Sequence, residues 1–321
     1  AALKYATLSL LASMLMLMGV GSIYAQTGTL TIASLHEASL ALTVPPLYLF
    51  STSLILVALA LKAALFPLHF WLPDAHSMAP TGVSVVLSGA VVKVGAYGLL
   101  RVLFSQASWL GAEFRPVLLT LAAFTALGAA WVAFAQTDFK RFLAYSTASQ
   151  MGYVLAGGSL GTVAGLRGAV VYSIIHAFTK GALFVTAGIA SAVFGSRRWD
   201  RMSGLAAKSP LLSAVAFVSL FSLAGIPPLA GFTGKLAVFY ALASEGAHLS
   251  LAALVIASLT ILAASGRIWL RISGGEVPPE ASPARRPKLA LVVALGLAVI
   301  ALGVGAGPVL RASDAAAVQL L

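Results

Sequence analysis

The stretch "VVLSGAVVKVGAYGLLRV", Val85 to Val102, is lipid-soluble from end to end except for one ammonium at its middle, Lys93. An apolar run of about 20 residues crosses the roughly 30 Å hydrocarbon layer of a bilayer as a helix. Outward from this stretch the pattern repeats. Nine such runs can be marked, near 4–25, 47–67, 80–101, 116–136, 141–160, 168–193, 209–241, 247–268 and 288–310. Of the 321 residues 60% are hydrophobic and 9% charged, whereas a soluble domain has about a quarter of its residues charged. These features predict an all-α polytopic membrane protein, a single transmembrane domain over 1–321 with no soluble domain attached.

There is no cysteine, which excludes disulfides, thiolate metal sites and cysteine nucleophiles. The opening "AALKYATLSLL" has neither an initiator Met nor a signal-peptide layout and runs into a full-length span. It reads as the downstream part of a longer polypeptide. The net charge of +11 is explained by topology rather than by nucleic acid, because basic residues flanking spans collect on the cytoplasmic side. With alternating spans, Lys4, Lys140, Arg141, Arg197, Arg198, Arg201, Lys208, Arg267, Arg271, Arg285, Arg286 and Lys288 share one side, against Arg101, Arg115, Arg167 and Arg311 on the other. The chain is therefore expected to begin on the cytoplasmic side and to end outside.

Four basic residues remain, Lys62, Lys93, Lys180 and Lys235, each inside a span, while all nine acids fall in loops or at span ends. A lysine at the centre of a span costs about 2.5–3.5 kcal/mol on insertion scales. The amines must shed their protons part of the time, face acids from elsewhere, or line a hydrated cavity, and each condition suits a proton relay. Snorkelling to the headgroups is the structural alternative. Lys93 lies eight residues before Arg101, about 12 Å below that end at 1.5 Å per residue, beyond comfortable reach.

Two of the spans are interrupted. In "LALKAALFPLHFWLPDAH" (59–76), Pro67 should break the helix just beyond Lys62; in "LAGIPPLAGFTGKLAVFY" (223–240), Pro227 and Pro228 with Gly225, Gly231 and Gly234 should break it before Lys235. Backbone freed at membrane depth is tolerated only inside protein or along a cavity. The two spans run in opposite senses, with proline after the lysine in one and before it in the other. Such a pair points to a transporter of inverted repeats with its ion site at the midplane. In "YSIIHAFTKGALFV" (172–185), His176 and Lys180 share a helical face, and histidine titrates near neutrality. Ser88, Tyr145, Ser146, Ser149, Gln150, Tyr153, Tyr172, Ser173 and Thr179 either extend a polar axis or glue helices together. His69, Asp74 and His76 in "PLHFWLPDAHSMAPT" (67–81) read as a structural or proton-intake turn rather than a metal cluster. No phosphate loop, nucleophile elbow or HExxH occurs, so no catalytic centre, cofactor or metal is expected in this chain. Residues 272–287, within "RISGGEVPPEASPARRPK", read as a mobile, charged cytoplasmic linker.

Together "FPLHFWLPDAHSMAPTGVSVVLSGAVVKVGAYGLLR", "DFKRFLAYSTASQMGYV", "HAFTKGALF" and "SLAGIPPLAGFTGK" closely resemble the antiporter-like subunits shared by respiratory complex I, membrane-bound hydrogenases and Mrp-type Na⁺/H⁺ antiporters. The resemblance covers nearly the whole chain. It implies helices six to fourteen of a fourteen-helix core built from two inverted five-helix units. It also implies roles: Lys62 as the lysine of the first broken helix, Lys93 as the central connecting lysine, His176 and Lys180 as the relay of the second unit, and Lys235 at the position of the lysine or glutamate of the second broken helix. Pro67, His69, Asp74, Ser149, Tyr153, Pro227 and Pro228 support them. One departure is that the family pairs the first lysine with a glutamate on a helix preceding this chain. Lys235, "LSGAVVKVGAYGLLRV" and "GRIWLRI" resemble most the D-type branch of the Mrp antiporters or its hydrogenase equivalent.

The resemblance implies a proton-translocating subunit in a bacterial or archaeal inner membrane. Its partners are the bilayer, other membrane subunits, H⁺ and Na⁺, with no nucleic acid. Membership of a complex I or hydrogenase type of redox machine is the main alternative. An inorganic-carbon uptake machine with a zinc-bearing partner and a non-transporting assembly scaffold are the others.

Overall fold

The computed structural model describes residues 2–41, 46–105, 111–279, 281–282 and 286–320. Among them every regular element is helical and no strand forms. Five helices are long and apolar enough to cross a membrane: α1 (Ala2–Thr27), the helical run Thr81–Phe104, α7 (Gly111–Ala135), α9 (Val163–Phe194) and α13 (His248–Ser273). A sixth is counted if α14 (Arg286–Val304) and α15 (Gly307–Leu320), which meet at 76°, make one span. The run 81–104 comprises α5 (Thr81–Val86), a π-helical turn (Leu87–Val91) and α6 (Val92–Ser105). Between the long helices lie α8 (Phe139–Gly158), almost wholly buried, and the short α2 (Ile32–Ala41) and α10 (Leu205–Lys208).

The two proline-marked spans are each split. The first ends as α3 (Pro46–Lys62), passes through a break with Ala64 at φ 54°, and resumes as α4 (Trp71–Met78). The second is α11 (Pro210–Ala224) followed by α12 (Ala230–Ser244). Gly225, at φ 90°, ends α11, its N–H reaching the carbonyls of Phe221 and Ser222. This is the left-handed cap that glycine adopts without a Cβ penalty, and the following prolines prevent the helix from resuming at once. A Cβ on Gly231 would lie 1.6 Å from the Ser222 carbonyl oxygen, so the two halves of this span pass in direct backbone contact. At the first break, Gly95 plays the corresponding part, since its Cβ would lie 2.6 Å from the Ala63 nitrogen. It draws α6 onto the end of α3.

Two expectations need correction. The run 288–310 does not continue straight: α14 stops at Val304 and the chain turns into α15, which packs on α9 and α6. Residues 32–41, between the first two expected spans, are helical. Within the 272–287 linker, residues 272–273 belong to α13 and 286–287 to α14. Among its described residues Gly204 N–H donates to Gly274 O (2.7 Å), and Ser203 Oγ to Glu276 O and Ser282 N–H to Val193 O (both 2.8 Å). Residues 280 and 283–285 of that linker lie outside the described residues. The adjoining turn is also fastened: Asp138 and Arg198 form a backbone bridge, and Trp199 Nε1 donates to Gln136 O at 3.0 Å. There Arg198 grips Asp200 through two contacts, 3.1 and 2.6 Å, and its hydrogen bond holds that carboxyl below the usual carboxylate range.

Candidate functional site

The central helix α8 presents polar groups to its neighbours at nearly every turn, and Lys93, Lys180 and Lys235 border it. Lys180 on α9 is wholly buried. Its Nζ donates to the Leu143 carbonyl at 2.8 Å and to Ser146 Oγ at 2.6 Å, both on α8. Lys235 on α12 is 2% exposed. Its Nζ reaches back across the break to Ala224 O at 2.9 Å, donates to Ser258 Oγ on α13 at 2.6 Å, and lies 4.9 Å from the centroid of the Tyr153 ring. A cavity of about 210 Å³ opens beside it, lined by Gly225, Phe232, Phe239 and Ser258 among others.

Lys93 is half-buried and donates to the Ser88 carbonyl in the π turn, a local geometry that recurs at functional sites. It lines a cavity of about 140 Å³ with Tyr97, Ser173 and, from α15, Leu320. Lys62, the last residue of α3, borders a space of about 30 Å³ with Tyr5, Ser9, Trp71 and Val91. Among the described residues none of the four lysines forms an ion pair.

His176 is 1% exposed, its ring stacked on Tyr172 with centroids 6.0 Å apart, and neither ring nitrogen has a protein partner among the described residues. The Tyr172 hydroxyl donates to Gln150 Oε1, and Tyr172 lies 5.5 Å from Tyr153, whose hydroxyl donates to Leu254 O at 2.5 Å. Gln150, Tyr153, Tyr172, His176 and Lys235 thus form one buried cluster at the meeting of α8, α9, α12 and α13. Thr179 pairs with Ser222 at 3.3 Å. Ser149 is turned the other way, donating to Ala126 O on α7 at 2.9 Å, which is helix glue.

The turn after Pro67 separates its polar groups. His69 packs between Phe66 and Tyr145, with ring centroids 5.9 and 6.4 Å away. Asp74 faces outward to Lys4 at 2.9 Å and Arg141 at 3.7 Å. His76 is fully buried, its ring stacked on Phe184 with centroids 4.7 Å apart, and neither ring nitrogen has a protein partner among the described residues. No group of three or more potential metal ligands comes together among the described residues. Lys140 Nζ and Arg197 Nη1 cap the end of α4 through Ala79 O and Ser77 O, both 2.8 Å, a favourable place for cations. Pro227 and Pro228 fill the second break.

Ser258 is the functional candidate that sequence reading passes over. Its only signal is the seven-residue spacing to Ser265 along an otherwise apolar α13, a pattern shared with ordinary helix contacts.

A family model described as "NADH:quinone oxidoreductase/Mrp antiporter, TM" matches residues 1–260. NADH-quinone oxidoreductase subunit N of Desulforudis audaxviator is 34% identical over 316 residues, covering 95% of this chain and 63% of the relative. The D subunit of the Na(+)/H(+) antiporter of Alkalihalophilus pseudofirmus is 33% identical over 323 residues, covering 99% and 65%. A chain in the structure of the Mrp complex from Dietzia sp. superposes with a TM-score of 0.93 at 30% identity, covering 99% of this chain and 67% of that one. The chain spans less than two thirds of the length of either curated relative.

Proposed function

Because the chain belongs to the NADH:quinone oxidoreductase/Mrp antiporter membrane family, we propose that it is a proton-translocating subunit of a multisubunit membrane complex, the D-type component of an Mrp Na⁺/H⁺ antiporter. Lys62, Lys93, Lys180 and Lys235 take up and release protons in turn, with His176 between the last two. What carries the reading is the state of Lys180 and Lys235: almost wholly buried amines resting on neutral oxygens, with no ion-paired carboxylate among the described residues. Intramembrane ionisable groups that face a bundle interior mark ion pathways. Each transfer moves one proton from an ammonium to a neutral acceptor, leaving an amine behind. The Tyr172–Gln150 pair and Tyr153 bridge the space between His176 and Lys235. His69, Asp74 and His76 form the intake turn beside the first break.

In this reading α1, α3 with α4, the run 81–104, α7, α8, α9, α11 with α12, α13 and α14 are nine crossings, arranged as part of an inverted repeat. The split of both proline-marked spans supports it, as does the location of both lysines at the breaks. The basic side is cytoplasmic in a bacterial or archaeal inner membrane, and Na⁺ exchange is driven through partner subunits. The likeness to an NADH-quinone oxidoreductase component favours a second reading, in which redox chemistry in a complex I type of machine drives the same proton path.

The test is proton flux in vesicles holding the assembled complex. Lys62→Ala, Lys93→Ala and Lys235→Ala are each expected to abolish flux per complex; wild-type flux in all three removes the proposal. Identifying the co-purifying subunits separates the two readings, since iron–sulfur and flavin subunits accompany only the redox machine.

A further inference from the structure

Two lysines on different helices rest on the same three-cornered arrangement. At Lys235 the amine lies 2.9 Å from Ala224 O and 2.6 Å from Ser258 Oγ, and Ser258 Oγ itself lies 3.3 Å from that same carbonyl. At Lys180 the amine lies 2.8 Å from Leu143 O and 2.6 Å from Ser146 Oγ, and Ser146 Oγ lies 3.1 Å from Leu143 O. The triangles are built differently. Leu143 and Ser146 are neighbours on one turn of α8, whereas Ala224 ends α11 and Ser258 belongs to α13. The same geometry therefore arises twice from unrelated local structure.

We infer that Ser258 and Ser146 are positioning residues that hold the amines of Lys235 and Lys180 in place through both of their protonation states. An ammonium has three donors and no acceptor, and a neutral amine gains a lone pair that needs a donor. A carbonyl oxygen accepts only. A serine hydroxyl does both, and in each triangle its hydrogen has two places to point. With the ammonium present, Ser Oγ accepts from Nζ and turns its own hydrogen to the shared carbonyl. When the proton leaves, the hydroxyl rotates and donates to the amine nitrogen, while an amine N–H continues to serve the carbonyl. No bond is broken in the serine and no net charge moves through it. The lysine keeps its position while its charge changes, so a departing proton does not leave an unpaired buried lone pair, which is costly in a low-dielectric interior.

Among the described residues the other two lysines do not show this arrangement. Lys93 donates to Ser88 O, but the Ser88 hydroxyl is paired with Thr147 Oγ1 at 2.8 Å. The device belongs to the two most buried amines, where solvent is least able to replace it.

The inference rests on the proton-translocating reading, and the experiment separates their failures. Flux per assembled complex is measured in vesicles across a pH series for Lys235→Ala, Ser258→Ala, Ser258→Thr and Ser146→Ala. Threonine keeps the hydroxyl, and its extra methyl has room in the adjoining cavity. Ser258→Ala and Ser146→Ala are each expected to lower flux roughly tenfold, the scale of one hydrogen bond to a charged group, and to displace the pH profile. Ser258→Thr is expected to stay within about twofold of wild type, with its profile unmoved. If Lys235→Ala retains wild-type flux, the transport reading falls. If Lys235→Ala is inactive while both alanine variants match wild type in rate and pH profile, the positioning inference alone falls. It also falls if Ser258→Thr is as impaired as Ser258→Ala, since the hydroxyl is then not what matters.

Discussion

The two broken helices carry their lysines at opposite places in the sequence, yet each lysine is associated with a helix carboxyl end. Lys62 is the final residue of α3, ahead of its break; Lys235 is five residues past the start of α12, behind its break. Yet Lys235 reaches back to Ala224 O, the last carbonyl of α11. Lys62 stands in the last turn of α3, whereas the Lys235 amine bonds the last carbonyl of α11; the macrodipole makes a helix carboxyl end a favourable place for a cation. One lysine is there by position and the other by the length of its stem. The difference lies in what else surrounds them. Lys235 has a serine, an aromatic face and about 210 Å³ of space, while Lys62 borders about 30 Å³ and is only half-buried. At the second break the ended helix supplies a carbonyl to the amine, and the neighbouring helices determine whether each amine is fully enclosed.

Substitutions at paired glycines test how tightly each break is closed. Gly231→Ala drives a Cβ to 1.6 Å from the Ser222 carbonyl, and Gly95→Ala drives one to 2.6 Å from the Ala63 nitrogen. Neither neighbour is a flexible side chain. Overpacking of this kind costs about 1–3 kcal/mol and occasionally more, so Gly231→Ala is expected to give the larger fall in thermal midpoint or the lower yield of assembled complex. Equal effects would show that the second break is no more tightly closed than the first.

The left-handed residues give a pair with opposite signs. Gly225 at φ 90° ends α11, while the first break uses a non-glycine, Ala64, at φ 54°. Gly225→Ala is expected to destabilise by about 1–2 kcal/mol, the left-handed cost for an L-residue. Ala64→Gly is expected to stabilise by less than about 1 kcal/mol, because glycine's greater unfolded entropy offsets part of the relief. Thermal unfolding of the purified complex reads both. Destabilisation by Ala64→Gly would mean that the alanine methyl, fully buried, contributes more through packing than its backbone conformation costs.

Much of this contrast is legible in the sequence. The lysines stand out because charge is scarce at depth, and Pro67 and Pro227–Pro228 mark the breaks because proline removes a helix donor wherever it falls. Those signals are local. Ser258 is not legible, since it meets Lys235 across 23 residues of chain and a helix end, and a serine in an apolar helix is unremarkable alone. Nor does hydropathy register the 76° turn into α15, because Val304 to Leu310 stays apolar through the bend; the Gly305, Gly307 and Pro308 punctuation was the readable clue. His76 shows the converse: its residue type drew attention as a metal ligand, and packing against Phe184 placed it away from Asp74's partners.

The smallest expected effect concerns α15, which touches the central lysine's cavity and neither break lysine. Leu320 lines the cavity of Lys93, and α15 is tied to α9 by Arg167 and Asp314 at 3.3 Å. Those side chains are 35% and 46% exposed, so the pair is worth less than about 1 kcal/mol and weakens with salt. Asp314→Ala should leave the thermal midpoint nearly unchanged while letting the helix lift more often. The chain has no cysteine, so Ser173→Cys, on the wall of the same cavity, gives it one thiol for a water-soluble reagent. Labelling should quicken about two- to fivefold on adding Asp314→Ala, and high salt should produce the same change in the Ser173→Cys protein alone. If labelling ignores both, the ion pair is not what holds α15 over the cavity, and the buried Ala317 and Leu320 with the Arg101 contact to Gln319 O do so instead.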